Sequence, residues 1–362
     1  MKIEHDKFGP EKIITVHDSS TEMRGFLVID NTKLGLGKGG IRMTPTVSVE
    51  EVCRLARTMT WKNALAGIPF GGAKAGIVWL GGSDTLKKRQ VQSFARAISE
   101  YIPKKYIAGP DVNSGEKEML WIAEALNNKK ASTGKPKSLG GLPHELGSTG
   151  FGVAHSTKIA ADLLGMNIKN TRVAIEGFGN VGSFAFKFLK QMGFNVVAVS
   201  DSKATAYLEK SEKGFDGKLL LSTKKKTGTV GDYPNAKKLP KEAIFGLPVD
   251  ILVLATITDV INEKNKKEVK AKLIVEGSNI PMSEKIEKEF NKKGIFVIPD
   301  FVANAGGVIS SYAEYKGYTP EKMFKLVEEK IKESSNIVIS ESLKNKLSPR
   351  ETAMLIAQKK IE

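Results

Sequence analysis

Short apolar runs recur through the second half of the chain, separated by helical or loop-like segments. They are rich in β-branched residues and read RVAIE (172–176), NVVAVSD (195–201), DILVLAT (250–256), KLIVEG (272–277) and IFVIPD (295–300). Continuous runs of this kind, alternating with helices, are typical of a parallel sheet that is covered on both faces. This half of the chain is therefore predicted to be an α/β unit with a parallel sheet.

The first half of the chain mixes two kinds of periodicity. Residues 12–31 alternate strand-like runs with a polar turn, which predicts an antiparallel pair of strands. A capping-box sequence at Ser48 begins a helix whose apolar stripe continues to about Leu65. Pro69 and the two glycines that follow predict a loop carrying Lys74, ahead of a buried strand. The other predicted elements are a strand over 41–43, helices over 86–101 and 117–126, a strand over 106–109, and helices after Pro320 and Pro349.

Residues 127–148 are rich in glycine, proline, serine and lysine and show little periodicity, which is typical of a boundary or a long surface loop. We therefore expect two domains. The first covers residues 1–142 and is completed by C-terminal helices over about 325–362, and the second covers residues 143–324. The lysine-rich stretch 203–245 lacks a clear period and stays unassigned.

Length and composition narrow the class of protein. With 362 residues, of which 41% are hydrophobic and 27% charged, the chain fits a globular protein of two domains. No uncharged apolar run approaches the ~20 residues of a membrane span, and the polar N-terminus does not resemble a secretory signal. The single cysteine, Cys53, excludes an intrachain disulfide and favours a reducing compartment. We expect a cytoplasmic protein with no membrane partner.

The formal net charge of +16 raises the question of nucleic-acid binding. The lysines, however, are spread into polar runs such as 224–226 and 237–238 and do not cluster with arginine or aromatic readers. We expect an attraction for small anions and no nucleic-acid partner. No metal site is expected, because the histidines lack metal-ligand spacing among themselves or with Cys53. They are His5, His17, His144 and His155.

Three lysines lie between Gly37 and Gly76, namely Lys38, Lys62 and Lys74. Lys38 and Lys74 stand beside paired glycines, which would let the backbone approach a ligand while the ammonium points at it. Three converging ammonium groups would suit a dicarboxylic acid, with two for its anions and one for chemistry. The alternative is three solvated lysines in a lysine-rich chain.

A glycine-rich turn follows the strand RVAIE and opens a helical pattern. Its residues are Gly177, Phe178, Gly179, Asn180, Val181 and Gly182. Asp201 ends the next strand, which completes the arrangement of a dinucleotide-binding fingerprint with the pyrophosphate at a helix N-terminus. Asp201 favours the ribose hydroxyls of NAD, whereas Lys203 leaves NADP open. A purely structural glycine turn is the alternative.

Two further motifs carry polar residues in turns. Asp111 follows the short strand YIAG, where aspartate is ordinarily an N-cap or Asx-turn residue. Placed opposite Lys74, it could instead move a proton. Asn304 precedes paired glycines and could cap a helix or line a ligand site at the carboxyl ends of the strands. The pattern alone leaves both questions open.

Seven motifs in this order resemble the glutamate/leucine/phenylalanine/valine dehydrogenase family, over almost the whole chain from about Gly9 to Ile361. They are KGGIR (38–42), MTWKNALAGIPFGGAKAG (59–76), GPDVNSGEKEM (109–119), STGFG (148–152), EGFGNVG (176–182), EGSN (276–279) and NAGGV (304–308). The resemblance implies an α/β fold with an N-terminal substrate-binding and oligomerisation domain, a Rossmann-type dinucleotide-binding domain and a catalytic cleft between them. It also implies NAD or NADP as cofactor, with NAD favoured, and a homo-oligomer, with a homohexamer favoured.

The resemblance further implies a role for individual residues. Lys74 is expected to be the catalytic lysine, Asp111 its partner in proton exchange, and Lys62 the ligand of the substrate α-carboxylate. The other implied contacts are Asn304 and Gly307 for the substrate, Thr149 for the nicotinamide amide, and Asn279, Asp201 and the turn 177–182 for the rest of the cofactor.

Lys38 and Ser311 indicate the substrate. In the glutamate-using branch of the family, a lysine and a serine at these positions hold the side-chain carboxylate, and in the other branch the positions are apolar. A lysine facing a leucine side chain in a dry site would cost several kcal/mol, roughly. We therefore expect reversible oxidative deamination of L-glutamate to 2-oxoglutarate and ammonia. The alternatives are a leucine/valine-type dehydrogenase and a non-catalytic dinucleotide-binding regulatory subunit.

Overall fold

The computed structural model describes residues 5–142 and 146–362, and the chain divides into two compact units. The first unit comprises Met1–Leu146, Val308–Leu326 and Ile356–Glu362, and the second comprises Gly147–Gly307 and Val327–Leu355. The C-terminal region from about 325 was expected to complete the first domain, but most of it belongs to the second unit. Residue 143, where we expected the second domain to begin, lies outside the described residues.

The first unit is built on a five-stranded mixed sheet. Its strands are β1 (Lys12–Asp18), β2 (Met23–Asn31), β3 (Gly37–Thr44), β4 (Gly71–Val78) and β5 (Tyr106–Gly109), in the order β1-β2-β4-β3-β5. The pairs β1–β2 and β2–β4 are antiparallel, whereas β3 runs parallel to both β4 and β5. The helices of this region are α1 (Val49–Leu65), α2 (Asp84–Ala97) and α3 (Glu116–Ala125). The predicted antiparallel pair and the strand YIAG are confirmed.

Helix α1 begins where its capping sequence predicts. The Ser48 hydroxyl accepts a hydrogen bond from the backbone N–H of Glu51, which satisfies one donor in the first turn of the helix. Val52 and Ala56 on its inner face pack with Val28 of β2 in a small apolar cluster. This contact fixes α1 against the sheet and places Lys62 in its last turn.

The predicted loop around Lys74 is wrong. Lys74 lies inside β4, where it pairs with Val28 of β2, and β3 pairs along the other edge. Gly72 lies within β4, and its missing side chain lets helix α1 pack directly on the strand. A Cβ at Gly72 would come within 1.9 Å of the Thr60 hydroxyl oxygen and 2.3 Å of the Thr60 backbone nitrogen. The glycines therefore permit close packing of a helix on the sheet.

The second unit contains a seven-stranded sheet in the order β12-β11-β10-β6-β7-β8-β9. Its elements are α4 (Ser148–Leu163), β6 (Arg172–Glu176), α5 (Asn180–Gln191), β7 (Asn195–Ser200), β8 (Thr205–Tyr207), α6 (Gly217–Thr227), β9 (Lys237–Leu239), β10 (Ile251–Leu254), β11 (Leu273–Glu276), α7 (Glu284–Lys292), β12 (Phe296–Ile298) and α8 (Asp300–Ala303). All five strands predicted for this half are present and parallel. The parallel α/β fold is confirmed.

The lysine-rich stretch that could not be assigned forms the edge of this sheet. Strands β8 and β9 run antiparallel to their neighbours, and α6 connects them. The remaining helices are α9 (Gly306–Tyr315), α10 (Pro320–Asn345) and α11 (Pro349–Ile361). Arg350 explains why much of α11 belongs to the second unit, because its guanidinium forms ion pairs with three buried carboxylates. They are Glu276, Glu287 and Asp300. Among the described helices, none is long and apolar enough to cross a membrane.

Candidate active site

Lys74 and Asp111 form a buried ion pair in the first unit. Lys74 projects from β4 and is 8% exposed, and Asp111 follows the end of β5. Gly40 of β3, the strand between them, makes room for this pair, because a Cβ there would lie 2.8 Å from the Cβ of Asp111. The topology of the sheet thus brings together the two residues expected to be catalytic.

The Asp111 carboxylate is held in its ionised form by its surroundings. Burial would by itself raise its pKa, but the Lys74 ammonium and then the Arg42 guanidinium reverse this effect, and the pKa is lowered below its usual value. Arg42 lies 3.4 Å from Asp111 Oδ1 and 2.6 Å from Glu51 Oε1. The backbone N–H of Val112 also donates to Asp111 Oδ1 at 2.7 Å. An ionised carboxylate beside an ammonium group can accept and return a proton.

Lys38 is more deeply buried than Lys74, with 2% of its surface exposed. Its ammonium donates to the carbonyl oxygen of Ala108 at 3.0 Å, and Gly109 makes space for it, since a Cβ there would lie 2.4 Å from Lys38 Nζ. Burial lowers the pKa of Lys38 to about 7; the Glu314 carboxylate opposes this shift, and Lys74 adds to it. A buried ammonium with one carbonyl partner is suited to a carboxylate ligand, which would supply a countercharge in direct contact.

Lys62 and Ser311 are half-buried, and both belong to the first unit. Ser311 lies on α9 three residues before Glu314, so these two side chains share one face of the helix. Glu314 forms a buried ion pair with Lys135 at 2.6 Å. Within the described structure, no hydrogen bond joins Lys38 directly to Ser311. Their shared role in binding a carboxylate therefore remains a prediction.

The glycines beside the lysines do not serve the purpose suggested by the sequence. A Cβ at Gly39 would lie 1.7 Å from the carbonyl oxygen of Ala73, and one at Gly72 would meet Thr60. These glycines face other parts of the protein and allow β3, β4 and α1 to pack closely. The interpretation that Gly39 and Gly72 let the backbone approach a ligand is therefore wrong.

The glycine-rich turn of the second unit has the geometry of an anion site. Gly177 has a φ of +95°, which favours glycine. A Cβ at Gly182 would lie 1.9 Å from the Gly177 carbonyl oxygen, so helix α5 can start close to the strand only with glycine there. Gly179 and Asn180 are exposed at the start of α5, where backbone N–H groups lack intrahelical partners. The residues present fit a pyrophosphate.

Several residues expected to bind substrate or cofactor lie together in the second unit. The Asn304 side-chain N–H donates to Asn279 Oδ1 at 3.0 Å. A Cβ at Gly307 would lie 3.0 Å from the Thr149 hydroxyl, so Gly307 and Thr149 are also neighbours. Asn304 is buried. The structure thus joins motifs that are far apart in the sequence.

Comparison with known proteins gives the family of the chain. The sequence model of the glutamate/leucine/phenylalanine/valine dehydrogenases matches residues 140–362, and that of the Glu/Leu/Phe/Val dehydrogenase dimerisation domain matches residues 10–128. The chain belongs to this dehydrogenase family. The family assignment made from the seven motifs is therefore confirmed.

Individual relatives agree with this assignment. The chain is 40% identical to a glutamate dehydrogenase of Aeropyrum pernix, over 90% of this chain and 80% of the relative. It is 38% identical to an NADP-specific glutamate dehydrogenase of Saccharolobus shibatae, over 84% of this chain and 75% of that protein. Among solved structures, the hetero-hexameric glutamate dehydrogenase of Thermus thermophilus, in a leucine-bound form, superposes with a TM-score of 0.83. The identity there is 27%, and 97% of this chain and 88% of the other are covered.

Several residues that the structure places near these sites carry no distinguishing pattern in the sequence. Arg42 was visible only as the last residue of the KGGIR motif, and no motif or predicted helix covered Glu314. Lys224 belonged to the unassigned stretch. Among the described residues, no three His, Cys, Asp or Glu side chains come together as metal ligands could. His144, which entered the prediction of no metal site, lies outside the described residues.

Proposed function

We propose that this protein is a glutamate dehydrogenase, which converts L-glutamate to 2-oxoglutarate and ammonia with NAD or NADP, and catalyses the reverse reaction. The observation that carries the proposal is the buried Lys38 ammonium, which lies in the same sheet as the Lys74–Asp111 ion pair. The names of the relatives from Aeropyrum pernix and Saccharolobus shibatae support it.

The residues of the first unit suit each end of a dicarboxylic amino acid. Lys62 binds the α-carboxylate, and Lys38 and Ser311 bind the side-chain carboxylate. Lys38 is the more discriminating of the two lysines, because a buried ammonium without a second charge partner is costly. An amino acid with an apolar side chain would leave this cost in place, whereas glutamate would remove it.

The chemistry requires a proton acceptor and an activated water. A nicotinamide held by the second unit would supply the hydride acceptor, and oxidation at the substrate Cα would turn the substrate nitrogen into an iminium group. Lys74 is the general base that takes a proton from water as the oxygen bonds to Cα. Asp111 exchanges protons with the nitrogen, which leaves as ammonia when the carbinolamine collapses. The lowered pKa of Asp111 keeps its carboxylate ionised, as a group that is to accept a proton must be.

The cofactor is held by the second unit. The turn 177–182 and the start of α5 bind the pyrophosphate, and Thr149 meets the nicotinamide amide. Asn279 and Asn304 are linked by a hydrogen bond, so cofactor and substrate contacts in this unit are ordered together. Asn304 and Gly307 contribute to substrate binding. Asp201 is the acidic residue of the dinucleotide fingerprint.

Two other functions are less well supported. A leucine- or valine-type dehydrogenase would place an apolar side chain against Lys38, which is buried and charged or half-charged near pH 7. A non-catalytic dinucleotide-binding subunit would not need an ion pair of Lys74 with Asp111. The glutamate reaction uses all of these groups.

We also propose that the protein is a homohexamer in the cytoplasm. The match of residues 10–128 to a dimerisation domain and the hexameric assembly of the Thermus thermophilus relative support the assembly. The free Cys53 fits a reducing compartment. Light scattering on the purified protein would give a mass about six times that of one 39.4 kDa chain if the assembly is right, and a smaller multiple would contradict it.

The function is tested by initial rates of the purified protein with glutamate, leucine, valine and phenylalanine, each with NAD and NADP. We expect glutamate to give the highest kcat/KM with at least one cofactor. A higher value for leucine or valine would assign the protein to the other branch of the family. Cofactor binding without turnover of any amino acid would favour the regulatory subunit.

A further inference from the structure

The carboxylate of Asp201 is already occupied by donors from the protein. Oδ1 accepts from the backbone N–H groups of Lys203 and Ala204 at 2.9 and 3.2 Å and from the Thr229 hydroxyl at 3.1 Å, and Oδ2 accepts from the Val230 N–H at 2.7 Å. A carboxylate offers about four lone-pair sites. Oδ1 has no site left for a ribose hydroxyl, and Oδ2, which keeps one, lies 3.6 Å from the Lys224 ammonium. Asp201 therefore serves mainly to hold two loops together.

Lys224 lies between this carboxylate and the glycine-rich turn. Its ammonium donates to the carbonyl oxygen of Phe178, inside the turn, at 2.9 Å and lies 3.6 Å from Asp201 Oδ2. The side chain is 31% exposed, so the ammonium is fixed by the protein and still accessible to a ligand. An ammonium has three N–H donors, and the Phe178 carbonyl uses one of them.

A second ammonium belongs to the same part of the unit. Lys203 lies two residues after Asp201 in the sequence. Its ammonium lies beside Gly228, because a Cβ at Gly228 would be 3.0 Å from Lys203 Nζ. Gly228 ends α6, the helix that carries Lys224. Two lysines from separate segments thus stand beside the acidic residue that ends β7. In dinucleotide-binding folds, this is where the adenosine ribose is read.

We propose that Lys224, assisted by Lys203, binds the 2′-phosphate of NADP(H), so that the protein prefers NADP(H) over NAD(H). This inference rests on the proposed function only in assuming that the turn 177–182 binds a nicotinamide dinucleotide. It reverses the preference for NAD that Asp201 suggests in the sequence. The hydrogen bonds to Asp201 and the nearby Lys224 ammonium compensate its negative charge, which would otherwise repel a phosphate.

The test is equilibrium binding of NADPH and NADH, followed by nicotinamide fluorescence, to the purified protein and its variants. The native protein should bind NADPH about ten- to a hundredfold more tightly than NADH, the range that one or two charge-assisted hydrogen bonds supply. Lys224→Met should weaken NADPH binding by about tenfold and leave NADH binding within about twofold. Lys224→Arg should retain the preference, because arginine also binds phosphate.

Lys225→Met is the matched control. Lys225 is an exposed neighbour of Lys224 on α6, and within the described structure it forms no hydrogen bond or ion pair with the turn 177–182. It should change neither affinity, and thermal unfolding should show that all variants are folded. The inference is overturned if the native protein binds NADH as tightly as NADPH. It is also overturned if Lys224→Met weakens both cofactors equally, because Lys224 would then only support the turn through Phe178.

Binding and turnover separate this inference from the proposed function. A protein that prefers NADPH but does not oxidise glutamate would keep the phosphate subsite and lose the glutamate assignment. A protein that oxidises glutamate but does not discriminate between the two cofactors would keep the glutamate assignment and lose the phosphate subsite. Free 2′-AMP should compete with NADPH more strongly than 5′-AMP does, and equal competition would count against the subsite.

Discussion

The two candidate binding regions use glycine and charge in opposite ways. Around Lys38 and Lys74 in the first unit, charged side chains are buried and point from strands, and glycines make room for these side chains and for neighbouring backbone. In the turn 177–182 of the second unit, exposed backbone groups at a helix start form the site, and Gly177 supplies a turn with positive φ.

The difference explains what each region can discriminate. Backbone N–H groups at a helix start bind any pyrophosphate, so selectivity in the second unit has to come from side chains such as Lys224. A buried ammonium is selective by itself, because a ligand without a matching charge leaves it unsatisfied. We therefore expect buried charge in the first unit to select the amino acid, and side chains around the turn in the second unit to select the dinucleotide.

The largest expected effect separates chemistry from cofactor binding. Lys74→Met should lower kcat for glutamate by about a thousandfold, within the range for loss of a general acid or base, because the group that activates water is gone. NADPH affinity, measured by fluorescence titration, should stay the same. Lys88→Met, at an exposed ion pair of the same unit, is the control and should be fully active. Near-normal turnover in Lys74→Met would rule out its catalytic role.

The next effect concerns stability in the first unit. Gly39→Ala would place a Cβ 1.7 Å from the Ala73 carbonyl oxygen, and because backbone on both sides is held in the sheet, strand β3 must shift. We expect a loss of about 3 kcal/mol in the free energy of unfolding, at the upper end for overpacked sites. Chemical denaturation with a fluorescence readout measures it. An unchanged midpoint would mean that β3 and β4 are farther apart than described.

A smaller effect is expected at a glycine of the second unit. Gly179→Ala meets no atom within 4 Å and has an ordinary φ, so stability should be preserved. Its added methyl group would stand where a pyrophosphate approaches the start of α5, and cofactor affinity should fall by about tenfold. Parallel titrations with NADPH and thermal scans provide both numbers. Loss of stability without loss of cofactor affinity would mean that Gly179 is needed for packing and not for the approach of a pyrophosphate.

The smallest effects are in the dependence of stability on pH. Burial lowers the pKa of Lys38 from 10.5 to about 7, so between these values the unfolded chain binds a proton that the folded chain has lost, and stability rises with pH. Burial raises the pKa of Glu176 from 4.5 to about 7; the folded chain then keeps a proton that the unfolded chain loses, and its contribution falls from pH 4.5 to 7. Each slope is at most about 1.4 kcal/mol per pH unit.

Two variants separate these contributions. Unfolding midpoints measured from pH 4.5 to 10.5 should lose the alkaline rise in Lys38→Met and the acid-side decline in Glu176→Gln. The first change reports on the first unit and the second on the other unit. An alkaline rise that persists in Lys38→Met would show that this lysine does not titrate near neutrality.

The dinucleotide region could be predicted from the sequence because its signals are local. A strand, a glycine-rich turn and a helix follow one another within about twenty residues, as the fingerprint requires. The antiparallel edge of that sheet could not be predicted, because β8 and β9 have only three residues each and the two lysines of β9 obscure any alternation.

The region around Lys74 could not be derived from local patterns. Lys74 and Asp111 come together because β3 lies between β4 and β5, and that order is set by parallel pairing over long sequence separations. Glycines that look like loop residues are strand residues that make room for Thr60 and Ala73. The family resemblance identifies the residues of this region. The pairing of the strands in three dimensions explains why glycine and lysine occupy these positions.

The most direct test of the account compares two substrates that differ only at the side-chain end. The ratio of kcat/KM for glutamate to that for norvaline, which has the same chain length without the carboxylate, is measured in the native protein and in Lys38→Met. We predict that the native protein prefers glutamate and that the variant reduces this ratio by about a hundredfold, as loss of one partner of a buried charge pair would. An unchanged ratio would contradict the claim that Lys38 selects glutamate.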